Sequence, residues 1–301
     1  MRLRHMKEAL VFAGVLVAAV EVTAAGAQMP AWASSVDAAL GHPGAMQPGG
    51  VYKVSFPRSD LHVAVGDVQL KPALALGSWI GFLPVGRTEA LAMGDLVLTE
   101  EEIGPVMRAL QEGGVQLSAL HNHLRGESPH VMYMHVMARG KPETIARAIH
   151  AALALTGTPS AAGQPATPAT AIDLDTVAIA RILGHAGKLS GVVYQVSVPR
   201  AEVIRMEGQA IPPSMGVATA INFQPTGGGR AVATGDFALL GSEVNRVIRA
   251  LRSHGVEVTA VHSHMLEESP RLFFMHFWGN GDADTIAQGL RSALDLTNSG
   301  R

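Results

Sequence analysis

Two stretches of this chain carry residues suited to chemistry. His121-Asn122-His123-Leu124-Arg125-Gly126-Glu127 is followed by His135, and His262-Ser263-His264-Met265-Leu266-Glu267-Glu268 by His276. Each is a His-x-His-x3-Glu string with a later histidine. Neutral imidazole and carboxylate are ligands for divalent metals, zinc first, with iron, manganese or copper as alternatives. The sequence has no cysteine, so thiolate metal sites, disulfides and thiol nucleophiles are excluded. Residues i and i+2 of a strand point the same way, so the paired histidines can converge on one ion. The expectation is one site per string. The first comprises His121, His123, Glu127 and His135, and the second His262, His264, Glu268 and His276. A metal so held would activate water or polarise a carbonyl, with Glu127 or Glu268 as fourth ligand or general base.

These strings are the densest part of an internal repeat. Leu40-Gly41-His42 returns as Leu183-Gly184-His185, Pro57-Arg58 as Pro199-Arg200, Gly94-Asp95 as Gly235-Asp236, and Ser128-Pro129 as Ser269-Pro270. Of 13 histidines, eight fall in matched pairs: 42/185, 121/262, 123/264 and 135/276. His5, His62, His130, His150 and His254 have no counterpart. Four clustered polar groups per copy argue for a ligand site, because burying each without a partner costs about 1–3 kcal/mol. The other matched residues read more simply. His42 and His185 sit in glycine-bounded loops, with a turn or N-cap role as the alternative to ligation. Arg58 and Arg200 follow Pro at strand ends and suit a structural salt bridge with a carboxylate, or else an anionic substrate. Asp95 and Asp236 follow glycine, which suggests turn chemistry. Met132, Met134, Met137, Met265 and Met275 read as core packing.

The elements that must position the histidines are strands and helices in alternation. Tyr52–Phe56, Ala75–Leu83 and Ala90–Leu98 read as strands. Thr99 and Glu102 form a capping-box pattern opening a helix to about Gln111. Val115–His121 and Val131–Met137 are strands expected to lie antiparallel, and Pro142–Leu155 is an amphipathic helix. The second copy repeats this with Glu243–Ser253, Val256–His262, Leu272–Phe277 and Ala283–Leu296. The implied fold is α+β: two tandem homologous domains, each a largely antiparallel sheet with two packed helices in strand-helix-strand-strand-helix order. Strict alternation puts Val115, Leu117, Ala119, His121 and His123 in one core-facing row, and likewise Val256, Val258, Ala260, His262 and His264. The two repeats are expected to pack on each other.

With 48% hydrophobic and 16% charged residues, the chain has the composition of a globular protein. A formal net charge of −2 offers no basic face for nucleic acid. Residues 1–27 read as a signal peptide: Arg2, Arg4 and Lys7, an apolar run from Ala9 to Val20, and Ala25-Gly26-Ala27 before the cleavage point. This implies a periplasmic or secreted protein, with no transmembrane segment in the mature chain. Residues 157–171, rich in Ala, Pro, Thr and Gly, read as a flexible linker between a first domain at 28–156 and a second at 172–301.

The wording of Ala119–His135 and Ala260–His276, with the Pro-Arg and Gly-Asp strands, resembles the LppY/LpqO family. That family is a bacterial exported domain of unknown function known from lipoproteins. The resemblance spans nearly all of the mature chain and implies export with no established biochemistry; this chain lacks the lipidated cysteine. The His-x-His-x3-Glu string also resembles the first metal motif of cupins, with His135 and His276 in the place of the later ligand, but the helices around it depart from a cupin barrel. Three readings stay open. One is a metal-dependent enzyme, hydrolytic in type. Another is a non-catalytic metal or ligand-binding protein whose polar clusters face each other across the copies. The last is a structural envelope protein with vestigial clusters.

Overall fold

The structure is a computed structural model that describes residues 28–160 and 172–299. The signal-peptide reading of 1–27 and most of the linker fall outside the described residues. In the first repeat the elements are α1 (Ala33–Leu40), β1 (Gly44–Gln47), β2 (Val51–Pro57), β3 (Gly77–Val85), β4 (Glu89–Thr99), α2 (Glu100–Glu112), β5 (Gln116–His121), β6 (Val131–Gly140) and α3 (Pro142–Leu153). The second has α4 (Thr176–Leu183), β7 (Lys188–Ser190), β8 (Val193–Val198), β9 (Thr219–Gly227), β10 (Arg230–Leu240), α5 (Gly241–Ser253), β11 (Glu257–His262), β12 (Leu272–Asp282) and α6 (Ala283–Leu294). The expected α+β architecture is present in both. The sheets run β1-β2-β3-β4-β6-β5 and β7-β8-β9-β10-β12-β11, with every neighbouring pair antiparallel. The chain leaves β4 through α2, forms the edge strand β5, and returns as β6 into the gap between them. No helix among the described residues is long and apolar enough to cross a membrane.

Each sheet buries both faces. One packs against its own three helices, through Leu96, Leu98, Met134 and Val136 in the first repeat and Phe237, Leu239, Met275 and Phe277 in the second. The opposite faces meet each other. Met93 and Met137 pack with Met215, Met265 and Phe274, and Val97, Tyr133 and Leu74 with Val193 and Val232. This double burial explains why β4 is a near-continuous apolar run rather than an alternating strand.

Helices α1 and α4 extend the expected pair on each sheet to three, and the first repeat adds the one-turn helix Pro72–Ala75. Their signal lies in the repeated Leu-Gly-His. Gly41 and Gly184 are left-handed C-caps, φ 68° and 75°, whose N–H groups donate to Asp37 O and Ala180 O. His42 therefore follows a helix end and packs edge-on against Phe56, rather than occupying a plain loop.

The repeated Pro-Arg is a buried ion-pair device, as its residue types suggested. Arg58, with 1% of its side chain exposed, donates to Glu102 (2.7 and 3.0 Å), Asp60 and Val97 O. Glu102 is also the capping glutamate of α2, accepting the Thr99 N–H at 2.9 Å. Arg200 repeats this with Glu243, Glu202 and Ala238 O, and Glu243 accepts the Leu240 N–H. Arg58→Ala would empty a buried site and leave the half-buried Glu102 and the buried Val97 carbonyl without their cation, so the variant is expected to lose about 3 kcal/mol of stability. Denaturant unfolding reads this; a loss below 1 kcal/mol would refute the assignment.

Candidate metal centre between the repeats

A β-bulge decides where the histidines point. Along β5, Leu117 faces Val136, yet the next paired residue, Ala119, faces His135. Ser118 is the extra residue, and the strand changes faces there. Leu117 packs on the helix side, whereas Ala119, His121 and His123 turn to the side facing the other repeat. Thr259 does the same between Val258 and Ala260. The single core-facing row expected from strict alternation is therefore wrong beyond Ser118 and Thr259. Both bulge hydroxyls then reach across the interface. Ser118 Oγ donates to His264 O at 2.6 Å, and Thr259 Oγ1 to His123 O at 2.5 Å. The residue that redirects each His-x-His pair also ties it to its counterpart.

The outcome is one cluster rather than two separated ones. His121 and His262 stack at 3.6 Å between ring centroids, His123 and His276 lie 3.7 Å apart, and His135 and His264 3.9 Å apart. All three closest pairs cross the interface. Three sets of histidines each offer ligand nitrogens within 4.8 Å of one another: 121/123/135, 121/262/276 and 135/262/264. Two of the three draw on both repeats.

The electrostatics favour the neutral form of five of these rings. Burial lowers the pKa of His121 to about 3, and repulsion from His276, were both rings protonated, adds to it. Burial and neighbouring histidines hold His123 and His135 well below the ordinary value, and lower those of His262 and His276 too. The Nδ1–H of His121, His264 and His276 donates to Asn122 O (3.0 Å), Gly216 O (3.0 Å) and Gly235 O (2.8 Å). In His121 and His276 that leaves Nε2 as a lone-pair donor, the arrangement found around metal-bound histidines, whereas His264 Nε2 has Asp236 Oδ2 at 2.8 Å. Eleven buried side-chain N and O atoms among the described residues have no hydrogen-bond partner. All belong to these six histidines, to Asp95 and Asp236, or to Glu127.

Asp95 and Asp236 are not turn residues. They stand mid-strand opposite His135 and His276, facing the cluster. His123 Nε2 lies 3.4 Å from Asp95 Oδ2, and His264 Nε2 lies 2.8 Å from Asp236 Oδ2. Burial raises the Asp95 pKa to about 7, reinforced by Asp236. Burial also pushes Asp236 up, but His276 and His264 outweigh it and hold its pKa low. The signal in the sequence was a carboxylate inside the apolar run Ala90–Leu98, since an unpaired acid is rarely buried. The preceding glycine has its own reason. A Cβ on Gly235 would sit 1.9 Å from Ala220 O, and one on Gly94 2.3 Å from Trp79 O. Gly235→Ala is expected to destabilise the chain by at least about 1–3 kcal/mol through forced strand displacement; an unchanged melting temperature would contradict this.

Glu127 and Glu268 are buried nearby but belong to none of the three histidine sets. Glu127 lies 3.4 Å from His130 Nε2, in a strand that pairs with Ala64–Val65. Glu268 accepts the Leu272 N–H at 2.9 Å and lies 3.3 Å from Arg271. The structure thus brings six of the eight expected site residues together and sets the two glutamates outside them, Glu127 in a short strand and Glu268 in the adjoining loop.

No curated protein matches the chain. Solved structures similar to it include a trimeric bacterial microcompartment shell protein, PduB, at 14% identity over 86% of this chain and 91% of that one, TM-score 0.25. EtuB from Clostridium kluyveri is 12% identical over 84% and 88%, TM-score 0.20. A family model described as Domain of Unknown Function (DUF1259) matches residues 34–155 and again 177–296. Matched through both repeats, the chain belongs to that family.

Proposed function

We propose that this is an exported protein of the LppY/LpqO type whose two repeats together bind divalent metal, zinc first. The observation that carries the reading is the set of unpartnered imidazole nitrogens. Seven of the eleven unpartnered buried atoms are histidine nitrogens, gathered from both repeats. At about 1–3 kcal/mol each, their burial needs a compensating ligand, and neutral imidazoles suit a transition-metal ion. Asp95 and Asp236 supply carboxylate beside them. The basic start and apolar run of residues 1–27 support export.

Binding is favoured over hydrolysis. A hydrolytic metal needs an open coordination position and a path for substrate. Here the candidate ligands lie between two packed sheets, with the His121 and His262 rings stacked at the centre. Elemental analysis of the full chain, purified without chelator, tests the proposal. At least about one equivalent of zinc, iron, manganese or copper per chain is expected; no metal above background overturns it.

A further inference from the structure

We propose that the repeats exchange ligands: each holds a metal ion with its own His-x-His pair and the third histidine of the other repeat. This rests on the metal reading above. One site is His121, His123 and His276; the other is His262, His264 and His135.

Three observations support the exchange. First, the ring closest to each third histidine belongs to the other repeat. His276 lies 3.7 Å from His123 but 4.8 Å from His262 of its own repeat; His135 lies 3.9 Å from His264 but 5.0 Å from His121. Second, the exchanged set 135/262/264 lies within 4.8 Å while the own-repeat set 262/264/276 is not among those that do; in the first repeat the own-repeat set 121/123/135 is also that close, so this observation bears on the His262/His264 site alone. Third, the bulge hydroxyls hold His123 and His264 against the opposite repeat through their carbonyls. Asp95 beside His123 and Asp236 beside His264 give each site one carboxylate, the donor set of a four-coordinate zinc. In this arrangement metal binding and repeat association are one event, because removing an ion removes a cross-link between sheets.

Combinations of substitutions distinguish exchanged from own-repeat sites. Full-length chain is loaded with cobalt or zinc and the bound equivalents are counted, with circular dichroism as the folding control. Wild type is expected to hold about two ions and the His121→Ala/His123→Ala variant about one. Adding His135→Ala then abolishes the remaining site, while adding His276→Ala spares it. The reverse pattern, or equal effects of the two, overturns the exchange while leaving metal binding intact; a wild type without metal defeats the parent reading instead. Should the triple variants not fold, single His135→Asn is crystallised with zinc. Its retained ion, located by anomalous scattering, is expected on His121, His123 and His276; an ion on His262, His264 and His276 overturns the proposal.

Discussion

His262→Leu is expected to change the stability of the chain in opposite directions with and without metal. Both ring nitrogens of His262 are buried without a partner, so an apolar side chain of similar size removes a cost of about 1–3 kcal/mol and breaks no hydrogen bond. In chelator the variant should therefore unfold at a higher temperature or denaturant concentration than wild type. With zinc the order should invert. Free ligand at 100 times its dissociation constant stabilises the native state by about 2.7 kcal/mol, and a site missing His262 forfeits that contribution. A histidine kept only for packing would give the same sign in both conditions. Parallel thermal melts in chelator and in zinc read the outcome, with His254→Leu, outside the cluster, as control. Equal shifts in both media would sink the ligand assignment.

Acid is expected to destabilise the metal-free chain below about pH 6.5, the ordinary histidine value. His121 has a folded pKa of about 3, depressed from that of the unfolded chain. Between the two values the unfolded state binds the proton and the native state does not, so stability falls as pH falls. At pH 5.5 this is about 1.4 kcal/mol for His121 alone. His123, His135, His262 and His276 shift in the same direction. Asp95 opposes them. Its folded pKa is raised to about 7, so it gains a native-state proton on acidification and contributes about 2 kcal/mol in the other direction between pH 7.5 and 5.5. Asp236, with its lowered value, acts only below the ordinary carboxylate range. Five histidines against one aspartate give a net loss. Denaturant midpoints in chelator at pH 7.5 and 5.5 should show it, and a midpoint rising on acidification would contradict the buried, neutral cluster.

Much of this was legible in the residues. The duplicated motifs mark both repeats, the Thr99/Glu102 pattern marks α2, and the His-x-His strings mark the cluster. Three things were not. The face of β5 beyond Leu117 depends on how its ladder with β6 accommodates Ser118, and the small Ala119 fits either side. The helices before β1 and β7 are short, and only their glycine caps and the Asp175 N-cap announce them. Above all, the repeat shows that each copy has a set of histidines, but whether two sets make two sites or one cluster depends on which sheet faces meet. That was encoded by the double burial of β4 and β10, where Asp95 and Asp236 are the buried carboxylates in largely apolar strands.

The most direct measurement is anomalous diffraction from crystals of the zinc-loaded wild-type chain. The account predicts zinc peaks between the two sheets, about 2.1 Å from imidazole nitrogens contributed by both repeats. Peaks bound by the histidines of one repeat alone, or an interface without zinc, would contradict it.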